Sequence, residues 1–298
     1  MTKTASSVPV TSGGARPIAS PARRDDPLAL LGWLTERDRR LLDVLGEHQV
    51  LTTGQLAQLA FPSLGMAQRR AYRLYRLGVL ERFRWHAPVG STTWHYTLGP
   101  EGAALVAAAR GTDPPRPAEL RRRAMRLAAS PRLAHLLGVN GLFTALAGHA
   151  RSHPGTALAA WWSERRCASH YGQIVRPDGY GAWVDRGRRV QFFVEYDTGS
   201  EPLGRLVAKL PGYADLAAAG GPTHPVLFWL PGAPREAHLQ RLLAERPAAG
   251  LVATATADLA AALDTSPAGP LWLTPGTGRR RPLVDLAPAT GRLPSPQA

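Results

Sequence analysis

Residues 63–86 read SLGMAQRRAYRLYRLGVLERFRWH, and a change of period inside this stretch decides the fold of the N-terminal third. Up to Gly78 the apolar residues Tyr72, Leu74, Tyr75 and Leu77 have helical spacing, whereas Val79 to His86 has the residue types of a strand. Gly78 is a helix stop, and Pro62-Ser63 is the turn before the helix begins. Arg69, Arg73 and Arg76 stand at i, i+4 and i+7, so they project together while the apolar side packs.

Upstream of this stretch, Thr35 is a good N-cap for a helix Glu36 to His48, with Leu41, Leu42 and Leu45 at helical spacing. Thr52 or Thr53 then caps a short helix Gly54 to Ala60. Downstream, Ala87-Pro88-Val89-Gly90-Ser91 joins the first strand to a second, Thr92 to Leu98, and Glu101 to Arg110 reads as a closing helix. Three short helices followed by a hairpin make a winged helix-turn-helix over residues 27–110. Arg69, Arg70, Arg73, Arg76, Arg82 and Arg84 face a single acid, Glu81, which suits a helix lying in a DNA major groove with a wing on the adjacent backbone, where His86 would also reach. The same residues also fit a solvated face used for protein contacts. Arginines at a groove say more about phosphate than about sequence.

Composition bounds the rest. The chain has 298 residues with 36 Lys+Arg against 22 Asp+Glu, a formal charge of +14, which favours a polyanionic partner, DNA first. Biased usage of Ala, Arg, Gly and Pro is the alternative source of the same balance. A 44% hydrophobic content is too high for a disordered chain, and one cysteine, Cys167, excludes an internal disulfide framework or a CxxC metal site. The N-terminal residues lack the apolar core of a secretory signal, and no uninterrupted apolar run is long enough to span a bilayer; the expectation is a cytoplasmic protein with no membrane partner.

Residues 1–26 read as a disordered arm, 111–117 (GTDPPRP) as a linker, and 287–298 as a disordered tail. Between linker and tail, residues 118–286 alternate in an α/β pattern with a mixed central sheet, α+β for the whole chain. Helices are expected at 118–130, 132–150, 201–219 with a kink at Pro211, 235–245 and 258–263. Strands are expected at 157–163, 176–184, 190–196, 225–230 and 251–254, with short additions at 271–274 and 281–286. Arg121, Arg122, Arg123 and Arg126 on the first of these helices either continue a backbone-contacting track or form a solvated surface.

The chemically richest residues lie between Arg176 and Tyr213. Asp178 opens one strand, while Glu195 and Asp197 end the next, two residues apart and therefore on one face. Adjacent strands would gather three carboxylates, the oxygen donors that Mg²⁺ takes in phosphodiester chemistry. Lys209 follows on a helix, with Tyr213 one turn later. Lys3 and Lys209 are the two lysines in the chain, and Lys3 falls in the arm, so an ammonium beside the acids is a candidate for orienting water or steadying a phosphate. Pro177-Asp178-Gly179 also reads as an ordinary turn, and Glu195 and Asp197 as strand-end or capping residues. Glu164 is either a fourth acid or an ion-pair partner of Arg165 or Arg166, and His135 and Asn140 read as hydrogen-bonded core positions.

Three segments together carry a family resemblance: LTERDRRLLDVLGEHQVLTTGQLAQLAF, PRLAHLLGVNGLFTALAGHAR, and RPDGYGAW with FFVEYDTGSEPLGRLVAKLPGY. From about Leu34 to Leu286 the chain resembles the actinobacterial replication-relaxation proteins of plasmids and mobile elements. Its second domain is similar to the PD-(D/E)xK nuclease core, which implies a restriction-endonuclease-like α/β fold. The resemblance implies Asp178 as first acid and Glu195 as second, with Mg²⁺ as cofactor and DNA as substrate. Asp197 stands where that pattern has lysine. Either Lys209 restores the charge from the following helix, completing a catalytic set of Asp178, Glu195 and Lys209 with Asp197 as a further metal ligand, or the site is degenerate. In the second case the chain is a non-catalytic replication initiator or transcription regulator, its second domain serving homodimerisation or docking of replication or mobile-element proteins.

Overall fold

A computed structural model describes residues 27–85, 92–245 and 252–287; the expected arm, the wing tip with His86, and the tail beyond Ala287 lie outside the described residues. The N-terminal unit runs α1 (Pro27–Trp33), α2 (Glu36–His48), β1 (Leu51–Thr52), α3 (Thr53–Ala60), α4 (Leu64–Arg76), β2 (Leu80–Phe83), β3 (His95–Leu98) and α5 (Pro100–Ala109). Thr35 and Thr52 each close a capping box, with Asp38 and Gln55 as the returning side chains, so both helices begin where their caps dictate. Leu41, Leu45, Leu56, Ala67, Leu74 and Tyr96 form the core of this unit. Its sheet has the order β1-β3-β2, all antiparallel; the two-residue β1 and helix α1 are additions to the expected elements.

The second unit consists of α6 (Pro117–Ala128), α7 (Leu133–Ser152), β4 (Thr156–Ser163), α8 (Glu164–Tyr171), β5 (Gly179–Asp185), β6 (Arg188–Tyr196), α9 (Leu203–Val207), α10 (Leu210–Ala218), β7 (Val226–Leu230), α11 (Ala233–Ala244), β8 (Val252–Thr256), α12 (Ala257–Ala262), β9 (Trp272–Leu273), β10 (Arg280–Arg281) and a closing 3₁₀ turn, Leu283–Leu286. Seven strands form one mixed sheet in the order β10-β9-β8-β7-β6-β5-β4. Strands β6, β7 and β8 run parallel, and the outer strands are antiparallel to their neighbours. One face packs on α7 through Phe143, Leu146, Trp183, Phe192 and Val194; the other packs on α9 to α11 through Phe193, Leu206, Leu216, Phe228 and Leu239.

Four local expectations change, one of them the short strand at 281–286, where only Arg280–Arg281 is extended and Leu283–Leu286 is the 3₁₀ turn. The single helix 201–219 is two: α10 starts at Leu210, and Pro211 lies in its first turn, where its missing N–H costs nothing. The strand expected from Arg176 starts at Gly179. Helix α8, unread in the sequence, is capped by Ser163 accepting from the Arg166 N–H.

The two units are docked, although the linker joining them is Pro-rich. Asn140 is buried and hydrogen-bonded as expected, and it donates to the carbonyls of His48 and Val50 at 3.2 and 2.8 Å, so its amide serves the junction between units. Gln55 donates to the Leu137 carbonyl, Thr144 to the Gln58 side chain, and Arg151 to the Ala57 and Gln58 carbonyls. His48 stacks on Trp161 with ring centroids 3.7 Å apart, and Ser163 donates to Glu47 at 2.7 Å. Burial, with Arg165 nearby, pushes the His48 imidazole down to about 4 despite Glu47, so this stack forms between neutral rings. No helix among the described residues is long and apolar enough to cross a membrane.

Candidate functional site

Helix α4 buries Ala67, Ala71 and Leu74 and turns Met66, Gln68, Arg69, Tyr72, Arg73 and Arg76 to solvent. The i, i+4, i+7 spacing therefore does place Arg69, Arg73 and Arg76 on one open face. Arg70 is not on it. Its guanidinium makes a two-pronged bond to Asp38, which is fully buried and already holds the Thr35 cap, and it lies 4.1 Å over the Trp33 ring. Arg70 locks α4 to α2, and the i+1 offset from Arg69 is what turns it inward. Arg82 and Arg84 stack on Trp94 at 3.9 and 4.3 Å, with Arg82 also over Tyr75 at 4.4 Å. Each keeps its charge at the edge of the hairpin while its planar body is held by an aromatic ring. Trp85 is exposed beside them. A basic helix face with aromatic flanks can bind phosphate and stack on bases.

The second set of residues meets on the α9–α10 side of the large sheet. Asp178 lies across from Glu195 just before the β5–β6 ladder begins, its N–H donating to the Val194 carbonyl, so both carboxyls emerge on one face. The break between α9 and α10 delivers Lys209, and the turn after it delivers Tyr213. Lys209 ion-pairs with Glu195 and stands 3.7 Å from Asp178. Tyr213 donates its hydroxyl to the other Glu195 oxygen, and the Tyr196 N–H donates to Asp178 at 2.8 Å. Glu195 is completely enclosed, Asp178 is 7% exposed, and the Lys209 side chain retains 36% exposure.

Two carboxylates against one ammonium leave surplus negative charge in a low-dielectric place. Burial, with Asp178 alongside, pushes Glu195 up to about 8 against the pull of Lys209 and Tyr213. Burial works in the same direction on Asp178, but His135, Lys209 and the Tyr196 N–H together hold its carboxyl below the usual value. Although burial opposes it, Lys209 is kept charged by Glu195 and Asp178, and Tyr213 is driven far towards its neutral form by burial and by Glu195.

Asp197 does not join this group. It lies one residue past β6, where Arg235 grips both its oxygens and the Gly199 N–H donates to it at 2.9 Å. The two-residue spacing predicts a shared face along a strand, and the strand stops before that rule applies. Glu164 pairs with Arg132, not with its neighbours in sequence. His135, expected as a core position, instead brings Nε2 to 3.3 Å from Asp178 Oδ2. Its position at the start of α7 gives no local sequence signal for that meeting.

Magnesium does not fit the residues in this arrangement. Both Glu195 oxygens accept from Lys209 and Tyr213, Asp178 accepts from Tyr196, the third acid is held by Arg235, and no group of three or more His, Cys, Asp or Glu suited to a metal ion occurs among the described residues. A hard cation needs several free oxygens and room for water.

No curated protein and no solved structure matches this chain significantly. The model of the family described as replication-relaxation matches residues 42–226, which takes in α4, the hairpin, the docking helix α7 and all four residues Asp178, Glu195, Lys209 and Tyr213. The chain belongs to the replication-relaxation family.

Proposed function

We propose that this chain is a DNA-binding protein of plasmid or mobile-element replication, with α4 and the hairpin after it as the DNA-contacting surface. The observation that carries the reading is the open face of Arg69, Arg73 and Arg76, bordered by ring-supported Arg82 and Arg84. Family membership suggests the replication role, and the +14 charge supplies the long-range attraction for DNA. In this reading the second domain has a nuclease-like arrangement closed on itself, with Asp178, Glu195, Lys209 and Tyr213 satisfying one another, and it serves as a scaffold or docking body for a second copy or a replication protein.

A second reading, metal-dependent phosphodiester hydrolysis in the manner of PD-(D/E)xK nucleases, is favoured by one observation: the meeting of two acids and a lysine. It requires Glu195 to be freed from Lys209 and Tyr213. One experiment separates the two. Full-length protein, Asp178→Ala and Lys209→Ala are incubated with supercoiled plasmid in Mg²⁺ or Mn²⁺, and binding to the same DNA is measured in parallel. The first reading expects salt-sensitive binding by all three and no nicking; metal-dependent nicking lost in both variants overturns it in favour of the second.

A further inference from the structure

None of the twelve residues of helix α6 is buried, a trait it shares with the shorter α12. Leu120, Ala124, Leu127 and Ala128 make a half-buried side, and the helix packs against β2 of the hairpin. The opposite side presents Arg121, Arg122, Met125 and Arg126 to water, with Met125 71% exposed. Arg123 pairs with Glu119, while Arg121, Arg122 and Arg126 have no ion-pair partner among the described residues. Four arginines within six positions repel one another, and a helix of this length gains little from a side that is only half-buried. Such a surface is completed by a polyanion.

Its position supplies the rest of the argument. At one side α6 adjoins β2, which carries Arg82 on the Trp94 ring. At its C-terminus a short turn, closed by the Leu133 N–H on the Ser130 carbonyl, leads into α7, whose first turn carries His135 beside Asp178. Twelve residues of helix span about 18 Å, the axial rise of roughly five base pairs.

We infer that α6 is a second DNA-contacting element: Arg121, Arg122 and Arg126 hold the phosphate backbone next to the hairpin, so that a duplex engaged by α4 is carried along α6 towards the Asp178–Lys209 side of the second domain. The inference rests on the DNA-binding reading above and adds a contact that the helix-turn-helix does not contain. It predicts sequence-independent affinity, since exposed guanidiniums on a helix outside the groove meet phosphate only.

The test uses the full chain and random-sequence duplexes of about one and about three helical turns. Wild type is compared with an Arg121→Ala/Arg122→Ala/Arg126→Ala variant and with the corresponding triple Arg→Lys variant, and binding is followed as salt is raised. Alanine at these positions favours helix, and unfolding curves check that it leaves the fold unchanged. On the long duplex the salt slope of the alanine variant should be shallower by roughly two to three, about 0.9 per lost phosphate contact. On the short duplex the two should coincide, and lysine should restore the long-duplex slope. Equal slopes on both duplexes, or failure of lysine to rescue, overturn the role of α6 while leaving α4 binding intact. Absence of wild-type binding to either duplex overturns both.

Discussion

The open face of α4 and the cluster around Glu195 are both dense in charge, yet they are built on opposite principles. On α4 like charges are left facing water, so their self-repulsion is relieved only by something brought from outside. Around Glu195 unlike charges are enclosed with hydrogen-bond partners for both carboxylate oxygens, so the protein itself answers the charge. Charge left unanswered points outward to a partner; charge answered internally points to the fold. Arg69 and Arg70 repeat the lesson at adjacent positions, one exposed and one locked to Asp38.

The comparison breaks most readily at α4. Replacing Arg69, Arg73 and Arg76 together by alanine should weaken DNA binding about a thousandfold, at roughly 1.4 kcal/mol per contact, with no change in melting temperature. A variant that binds normally would place these arginines on the side of the fold. Next in size, Lys209→Met should leave DNA affinity unchanged and cost about 3 kcal/mol of stability in chemical denaturation, the lower end for breaking a buried pair because Glu195 can take up a proton instead. Arg70→Met should cost about 2 kcal/mol, since Asp38 loses its strongest partner, again with little effect on binding; a large binding loss would move Arg70 back to the DNA-facing set.

The remaining tests are read as pH is varied. His48 is held near 4 in the folded chain against 6.5 when free, so between those values the unfolded chain binds more protons and stability rises with pH. His48→Phe should flatten the melting temperature across that window relative to wild type. Glu195 works with the opposite sign: its folded value near 8 lies above the ordinary 4.5, so its contribution declines as pH rises between the two. Glu195→Gln should remove that decline.

Much of this architecture was legible from residue patterns. The caps at Thr35 and Thr52, the stop at Gly78, and the alternation of apolar strands and helices beyond residue 132 locate most elements to within a few positions. Asp178, Glu195 and Lys209 are readable as a group, with Asp197 wrongly among them, because the first opens one strand, the second ends the next and the third is a rare lysine. What was not legible is pairing over distance. Nothing local to Asp197 points to Arg235, thirty-eight positions on, and nothing local to His135 points to Asp178. The apolar helix marks Asn140 as a buried, hydrogen-bonded position, which it is, but only the docked unit reveals that its partners are carbonyls ninety or more positions earlier. Helix α8 escaped because ERRCASHY buries just Cys167 and so carries no apolar stripe.

Strand β4 forms one edge of the large sheet, and between its terminal Thr156 and Ser163 its sequence, TALAAWWS, is apolar throughout. A bare edge of that kind is a template for pairing with other chains. Here Glu47 takes the hydroxyl of Ser163 and His48 covers Trp161, so the N-terminal unit closes one end of the edge. The residues that supply this cover precede β4 in the chain and are synthesised before it. The N-terminal unit therefore shields this end of the sheet, and a fragment beginning at α6 should self-associate more readily than the full chain for want of that cover.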